Sequence, residues 1–327
     1  MTILVANNHL KRVGGSETYT YALINVLIKK GYNVEYFTFF KGAVSKRIEK
    51  DLNVKFMSKS KYDLILANHN TCVNYLSRRG KIIQTCHGIF PKEEQPSAYA
   101  DGYISISKEV KDHLKGLGFD SEIVVNGINC DRYKVINSIN PKLKNVLSLS
   151  QSEIANDKIK IACDALGLQF SKLNKNENPI WHVENMINKA DLVIGLGRSA
   201  YEAMACGRTV LVFDERPYFK SFADGYMTPE LVYKCVEKNC SGRYSQLELS
   251  TQDLMLELKK YKKEDGDLLR ELALKEFNID LQTDKILSYA SSVTKKRGAV
   301  KLVFASWYQN YRMNKRKRKK KKKDKRK

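Results

Sequence analysis

At 327 residues the chain exceeds one typical domain, and a 43% hydrophobic content leaves ample material for a core. The formal net charge of +22 suggests a nucleic-acid binder at first sight, but residues 295–327 hold 17 Lys/Arg against Asp324 alone, which leaves about +6 for the body and makes basicity a property of the tail. Seven scattered cysteines without a Cys-x-x-Cys pair, and five histidines at no metal-ligand spacing, argue against a disulfide framework and a structural zinc and for a reducing, cytoplasmic setting.

The N-terminal "TILVA" predicts a first strand and not a signal peptide, and no apolar run reaches the roughly 18 residues of a membrane span. A glycine turn "VGGSE", a helix through "TYTYALINVLIKKG" closed by Gly31, and a strand "NVEYFTFF" complete a βαβ unit. Strands follow in "YDLILAN", "KIIQTCH", "GYISIS" and "SEIVVNG", with a helix "KEVKDHLKGLG" before the last, so residues 1–133 read as one doubly wound domain. Asn126 and Gly127 in "VVNGIN" predict a turn that leads into a linker, residues 134–144.

A second α/β series starts at "NVLSLS" and continues through helices "DKIKIACDALG" and "ENMINKA", strand "DLVIGLG", helix "SAYEAMACG" and strand "TVLVFD". With the helical patterns after Leu247 it makes a second domain, residues 145–294. The expected fold is therefore α/β: two Rossmann-like domains facing a cleft at the carboxyl ends of their strands, where ligands of such sheets bind. The tail 295–327 adds a helical stripe of Val300, Val303, Phe304, Trp307, Tyr308 and Tyr311 beside a polybasic run. An apolar-aromatic stripe of this kind has the form of an interfacial anchor for anionic lipid through residues 299–327, and nucleic acid is the other polyanion that would claim it.

The stretch "GLGRSAYEAMACGRTVLVFDE" carries the chemistry. Its spacing Gly195-x-Gly197-x-x-Ala200, with Asp214 ending the next strand, matches a dinucleotide fingerprint, which makes an NAD-dependent oxidoreductase one reading. A second is that the glycines only let a short helix pack on its strand. The third is an anion site for a nucleoside diphosphate: the first N–H groups of a helix at Ser199 and Ala200, close approach at Gly195 and Gly197, a bidentate contact from Arg198, and Glu202 accepting from ribose hydroxyls. Gly14 and Gly15 would let the opposing domain's backbone reach the same diphosphate. Ser16 is then the expected helix cap, and Glu17 suits the helix dipole without any ligand. His87, at a strand end before Gly88, faces a cleft in an α/β domain, and His69 in "LANHN" is a second candidate.

"SAYEAMACGRTVLV" resembles the signature of family 4 glycosyltransferases with the GT-B fold. In the same order, "VGGSETYTYALINVLIKKGYNVEYFT" is similar to that family's glycine loop and helix, "TCHG" to its acceptor-side histidine, and "ISISKEVKDHLKGLG" with "VVNGIN" to its run into the linker, so the resemblance spans residues 1–293. It implies a nucleotide-sugar-dependent transferase, retaining and metal-independent, with no cofactor beyond the donor itself and with a glycan or lipid-linked acceptor; the tail adds the expectation of a peripheral place on the inner, cytoplasmic face of the membrane. His87, Arg198 and Glu202 would be its catalytic set; Gly14, Gly15, Lys158, Gly195, Gly197, Arg198, Ser199, Ala200 and Glu202 would hold the donor. The sequence departs from the family twice. Ile194 stands where the first of two paired glutamates is expected, and Ser150-Gln151 replaces a Gly-Arg pair, with Lys158 near the lysine position. A degenerate GT-B scaffold that binds a polyanion without catalysis is the competing class.

Overall fold

The computed structural model describes residues 1–174, 180–216 and 222–295, so the expected tail anchor at 299–327 lies outside the described residues. The run Ile3, Leu4, Val5, Ala6 is fully buried, because this strand lies inside a parallel sheet covered on both faces. Successive side chains serve opposite cores: Ile3 and Val5 pack with Leu23, Ile24 and Leu27, whereas Leu4 and Ala6 pack with Phe37, Ile65 and Cys86.

The first sheet comprises β1 (Thr2–His9), β2 (Asn33–Phe40), β3 (Leu64–Ala67), β4 (Lys81–Cys86), β5 (Gly102–Ser105) and β6 (Glu122–Ile123) in the order β2-β1-β3-β4-β5-β6, all parallel. Helices α1 (Gly15–Lys29), α2 (Ala43–Asp51), α3 (Asn70–Leu76) and α4 (Lys108–Gly116) cover it. Helix α1 ends as expected, with Gly31 at φ +81° past its last turn. Its start differs from the expectation. Gly14 is the N-cap and Ser16 falls inside the first turn, donating its hydroxyl to Glu17 Oε2 at 3.2 Å, so Ser16 caps nothing.

The second sheet has the order β11-β10-β9-β7-β8, built from β7 (Asn145–Ser148), β8 (Gln169–Lys172), β9 (Leu192–Ile194), β10 (Thr209–Val212) and an antiparallel edge, β11 (Gly225–Tyr226). Around it lie α5 (Glu153–Ala165), α6 (Val183–Ile187), α7 (Arg198–Ala205), α8 (Pro229–Cys235), α9 (Thr251–Lys259) and α10 (Lys263–Glu276).

The last helix, α11 (Ile279–Ser292), crosses back: Ile279, Ile286 and Ala290 join the core around α1, and Lys81 Nζ donates to the Ala290 and Val293 carbonyls at 2.6 and 3.2 Å. An apolar helix face in the sequence does not say which of two cores it will cover, and here it covers the first. The outgoing and returning chains run side by side, with Ile128 N–H on Phe277 O at 2.6 Å and Ile279 N–H on Ile128 O at 2.9 Å. Gly127 makes this possible, since a Cβ there would lie 2.6 Å from Ile279 Cα.

Candidate active site

Between the two sheets lies a cavity of about 860 Å³, bounded by the β1–α1 loop and the segment after β4 on one side and by the β9–α7 turn and residues 239–243 on the other. Four arginines line it: Arg12, Arg198, Arg216 and Arg243. On the second-domain wall, β9 turns at Gly195–Gly197 into α7, whose start has no side-chain cap. Gly197 has φ +54°, a left-handed value that favours glycine, and its N–H donates to Cys240 O at 2.8 Å. Asn239 and Cys240 also take positive φ, so the segment facing α7 holds two conformations that ordinary residues avoid. Arg198 reaches back to Glu202 (Nε to Oε1, 2.8 Å) and to Gly127 O (3.2 Å), and passes close beneath Gly15.

A smaller cavity of about 140 Å³ adjoins the first and shares Val13, Gly14, Gly15 and Arg198 with it. Its apolar wall is Tyr133, Leu149, Leu173 and Trp181, and its polar groups include Gln151, Ser199 and Glu202. Trp181 lies between two guanidinium groups, Arg47 of α2 at 4.5 Å and Arg132 at 5.0 Å, with Tyr21 of α1 edge-on at 5.0 Å, so it joins the domains at this end. Gln151 Oε1 is buried with no hydrogen-bond partner among the described residues and is open to a donor from a ligand.

The first-domain wall is built from titratable groups. His9 Nδ1 pairs with Glu17 Oε1 at 2.8 Å, and that hydrogen bond raises the His9 pKa. His69, at the head of α3, accepts the Asn8 N–H on Nδ1 at 3.3 Å, and burial drives its pKa down to about 4. His87 contacts Asn68 Oδ1 through Nε2 at 3.3 Å and the edge of Tyr19 at 5.4 Å; burial first, then its histidine neighbour, drives it down to about 3. Both rings are neutral near pH 7.

Of the residues singled out from sequence, His87, Gly14, Gly15, Gly197 and Arg198 line the larger cavity, and Ser199 and Glu202 the smaller. Gly195 and Ala200 are buried behind them. Lys158, within α5, lines neither cavity and is paired with Glu215 at 2.6 Å. Ile194 is fully buried in the core with Val146, Ile159 and Leu211, so the position expected to carry a glutamate points away from the cleft. Ser150 is also spent structurally, donating to Phe213 O at 3.0 Å.

Asp214 does not fit the oxidoreductase reading. It is fully buried and accepts the N–H groups of Gln151, Ser152 and Glu215 and the Arg216 Nε, which leaves its oxygens committed to the loop and not to a ribose. Sequence reasoning missed Glu94, Trp181 and Arg243, and met Gln151 only as a departure from the expected Gly-Arg pair. None repeats at a helical or strand period, and their only signal was position in polar loops after strands.

No family model and no curated protein matches the chain. Solved structures do. The chain is similar to Anabaena HepE in complex with UDP and glucose (TM-score 0.63, 15% identity, covering 90% of this chain and 100% of that one). It is similar also to a putative UDP-N-acetylglucosamine 2-epimerase from Listeria monocytogenes (0.55, 14%, 89% and 96%) and to the catalytic domain of starch synthase IV from Arabidopsis thaliana bound to ADP and acarbose (0.51, 11%, 89% and 98%). At these identities the likeness establishes the fold, and the fold of this chain is GT-B: two Rossmann-like domains facing a cleft.

Proposed function

We propose that the protein is a nucleotide-sugar-dependent glycosyltransferase of the family 4 type. The observation that carries the reading is the pair of adjoining cavities. The smaller offers an apolar and aromatic wall that suits a base, and Glu202 on its lining would accept from ribose hydroxyls. The shared boundary of Gly14, Gly15 and Arg198 brings backbone and a guanidinium to a diphosphate, and the larger cavity leaves room for the sugar below His87. Similar architectures hold UDP in HepE and ADP in starch synthase IV, which supports a diphosphate in the same place here. Catalysis would rest on positioning and on charge stabilisation of the leaving diphosphate, the work that the arginine-lined wall is built for.

The resemblance to family 4 adds a metal-independent reaction and a glycan or lipid-linked acceptor to the proposal. The basic tail adds contact with an anionic membrane surface. Calorimetry with UDP tests the reading. Wild-type protein should bind, and Glu202→Gln should weaken binding about tenfold, or about 1.4 kcal/mol, by withdrawing the carboxylate from the ribose. The same titration with unchanged affinity makes Glu202 a partner of Arg198 and nothing more. A protein that binds RNA and ignores UDP is the non-enzymatic scaffold instead.

A further inference from the structure

We propose that Tyr19 holds the outer phosphate of the donor, the one that carries the sugar, from the first-domain side, an inference that rests on the transferase reading. Tyr19 stands on α1 one turn beyond Gly15, on the same face of the helix. Arg198 passes close to that face, since a Cβ at Gly15 would lie 3.9 Å from its Cδ. The Tyr19 ring belongs to the core around α1 and stands edge-on to His87 at 5.4 Å. Only 4% of the residue is exposed, yet it lines the larger cavity.

Three observations single it out. The hydroxyl makes no hydrogen bond among the described residues, although a buried tyrosine O–H ordinarily finds a partner. The other hydroxyls of this turn are spent: Ser16 on Glu17 at 3.2 Å, Thr18 on Gly14 O at 2.9 Å and Thr20 on Ser16 O at 2.7 Å. Burial pushes the Tyr19 pKa up to about 12 against the pull of the Arg198 cation, so the hydroxyl keeps its proton at neutral pH and is a donor beside that guanidinium. The loop after β7, on the opposite wall, has little left to give a phosphate. Ser150 donates to Phe213 O at 3.0 Å, Gln151 Nε2 to Leu149 O at 2.9 Å, and Lys158 is paired with Glu215. A diphosphate held by Arg198 and the first N–H groups of α7 therefore has its remaining oxygens to satisfy from α1.

The two cavities divide the donor between them, and Tyr19 borders only one. Glu202 and the apolar wall line the smaller, which Tyr19 does not, while His87 and Tyr19 line the larger, where the sugar has room. A donor group between Arg198 and His87 meets the phosphate next to the sugar and not the one next to the ribose. An uncharged O–H bonds a charged oxygen there without adding a cation that needs its own partner, and it does so from the first domain while Arg198 acts from the second. As the bond to the sugar breaks, negative charge gathers on that phosphate and the hydrogen bond strengthens.

The test is calorimetry of UDP and UMP on the full chain, wild type against Tyr19→Phe, a change that keeps the ring and its contact with His87. UDP affinity should fall about tenfold while UMP affinity stays within about twofold, because only the outer phosphate loses a bond. In phosphorus-31 NMR of bound UDP the outer phosphorus signal should move in the variant and the inner one hold its place. Unchanged UDP affinity overturns the inference and leaves the transferase reading standing. An equal loss on UMP overturns it too, since the hydroxyl would then support the site as a whole, and so does an outer signal that stays where it was. A wild-type protein that binds no UDP overturns both the inference and the reading.

Discussion

The two walls of the cleft are made of different chemistry. On the second-domain wall the charges are paired, Arg198 with Glu202, Arg216 with Asp214 and Arg243 with Glu109, and the start of α7 offers N–H groups without a side-chain cap. On the first-domain wall the groups are titratable and pulled from their usual pKa values: two histidines held neutral and one carboxyl raised to about 7. Paired charges and fixed N–H groups bind an anion without changing state, whereas displaced pKa values suit groups that move or withhold a proton. The difference teaches that the second wall is suited to holding an anion in a fixed charge state, and the first to groups whose protonation is set by their burial.

The strongest way to break this comparison is Ile194→Glu. Were the second wall only an eroded version of a two-glutamate site, restoring the acid would add a sugar contact. Ile194 instead packs in the core among Val146, Ile159 and Leu211, so a carboxylate there is buried without a partner. The variant should lose about 4 kcal/mol or more of stability, read from the denaturant midpoint, and gain no activity with any donor. A stable variant with new activity would show that the strand end turns toward the cleft and that the second wall takes part in the chemistry.

How far the sequence reveals these walls depends on what kind of order each has. The two sheets were legible because strands such as "TILVA" and "TVLVFD" are continuous apolar runs bounded by turns, and the α7 start because glycines flank it at short range. Glu202 and Arg198 came with it, being i and i+4 on one helix. The first wall was less legible. His9, Glu17, His69, His87 and Glu94 meet only because β1, β3 and β4 end side by side, a tertiary fact without local period. The fate of Lys158 and Ile194 follows the same logic. A motif's spacing gives them numbers, but the face of α5 and the pleat of β9 decide where they point.

Acid should strain the first wall before the second. His69 and His87 stay neutral in the fold but take protons near pH 6.5 when unfolded, so between about pH 6.5 and 4 the unfolded chain binds more protons and stability falls as pH falls. Glu94, with a raised pKa, acts in the opposite sense over pH 4.5 to 7, and so does the half-exposed His9, whose contribution is lost above its raised pKa; the two buried rings outweigh them. A loss of a few kcal/mol from pH 7 to pH 4.5 is expected by chemical denaturation, and His69→Gln should flatten the slope. A pH-independent midpoint over that range would mean that the rings are solvated and that the first wall is no drier than the second.

The smallest effect concerns the contact that holds the walls in register. Arg243, from the strained segment beside α7, grips Glu109 in the first turn of α4 with two bonds, Nε to Oε1 at 2.8 Å and Nη2 to Oε2 at 2.6 Å, and its guanidinium lies 5.7 Å from the Phe90 ring. Fork geometry and partial burial raise such a pair above an ordinary surface bridge. The domains are also joined by Trp181 between Arg47 and Arg132 and by the two crossing chains, so the pair is one tie among several. A double-mutant cycle of Glu109→Ala and Arg243→Ala should therefore give a coupling of only about 1 kcal/mol, weaker at high salt. UDP affinity should fall about threefold in either single variant and no further in the double, because once the tie is cut the second change removes nothing more. Additive losses would instead mean that each residue meets the ligand separately, and that the walls are aligned by the Trp181 side alone.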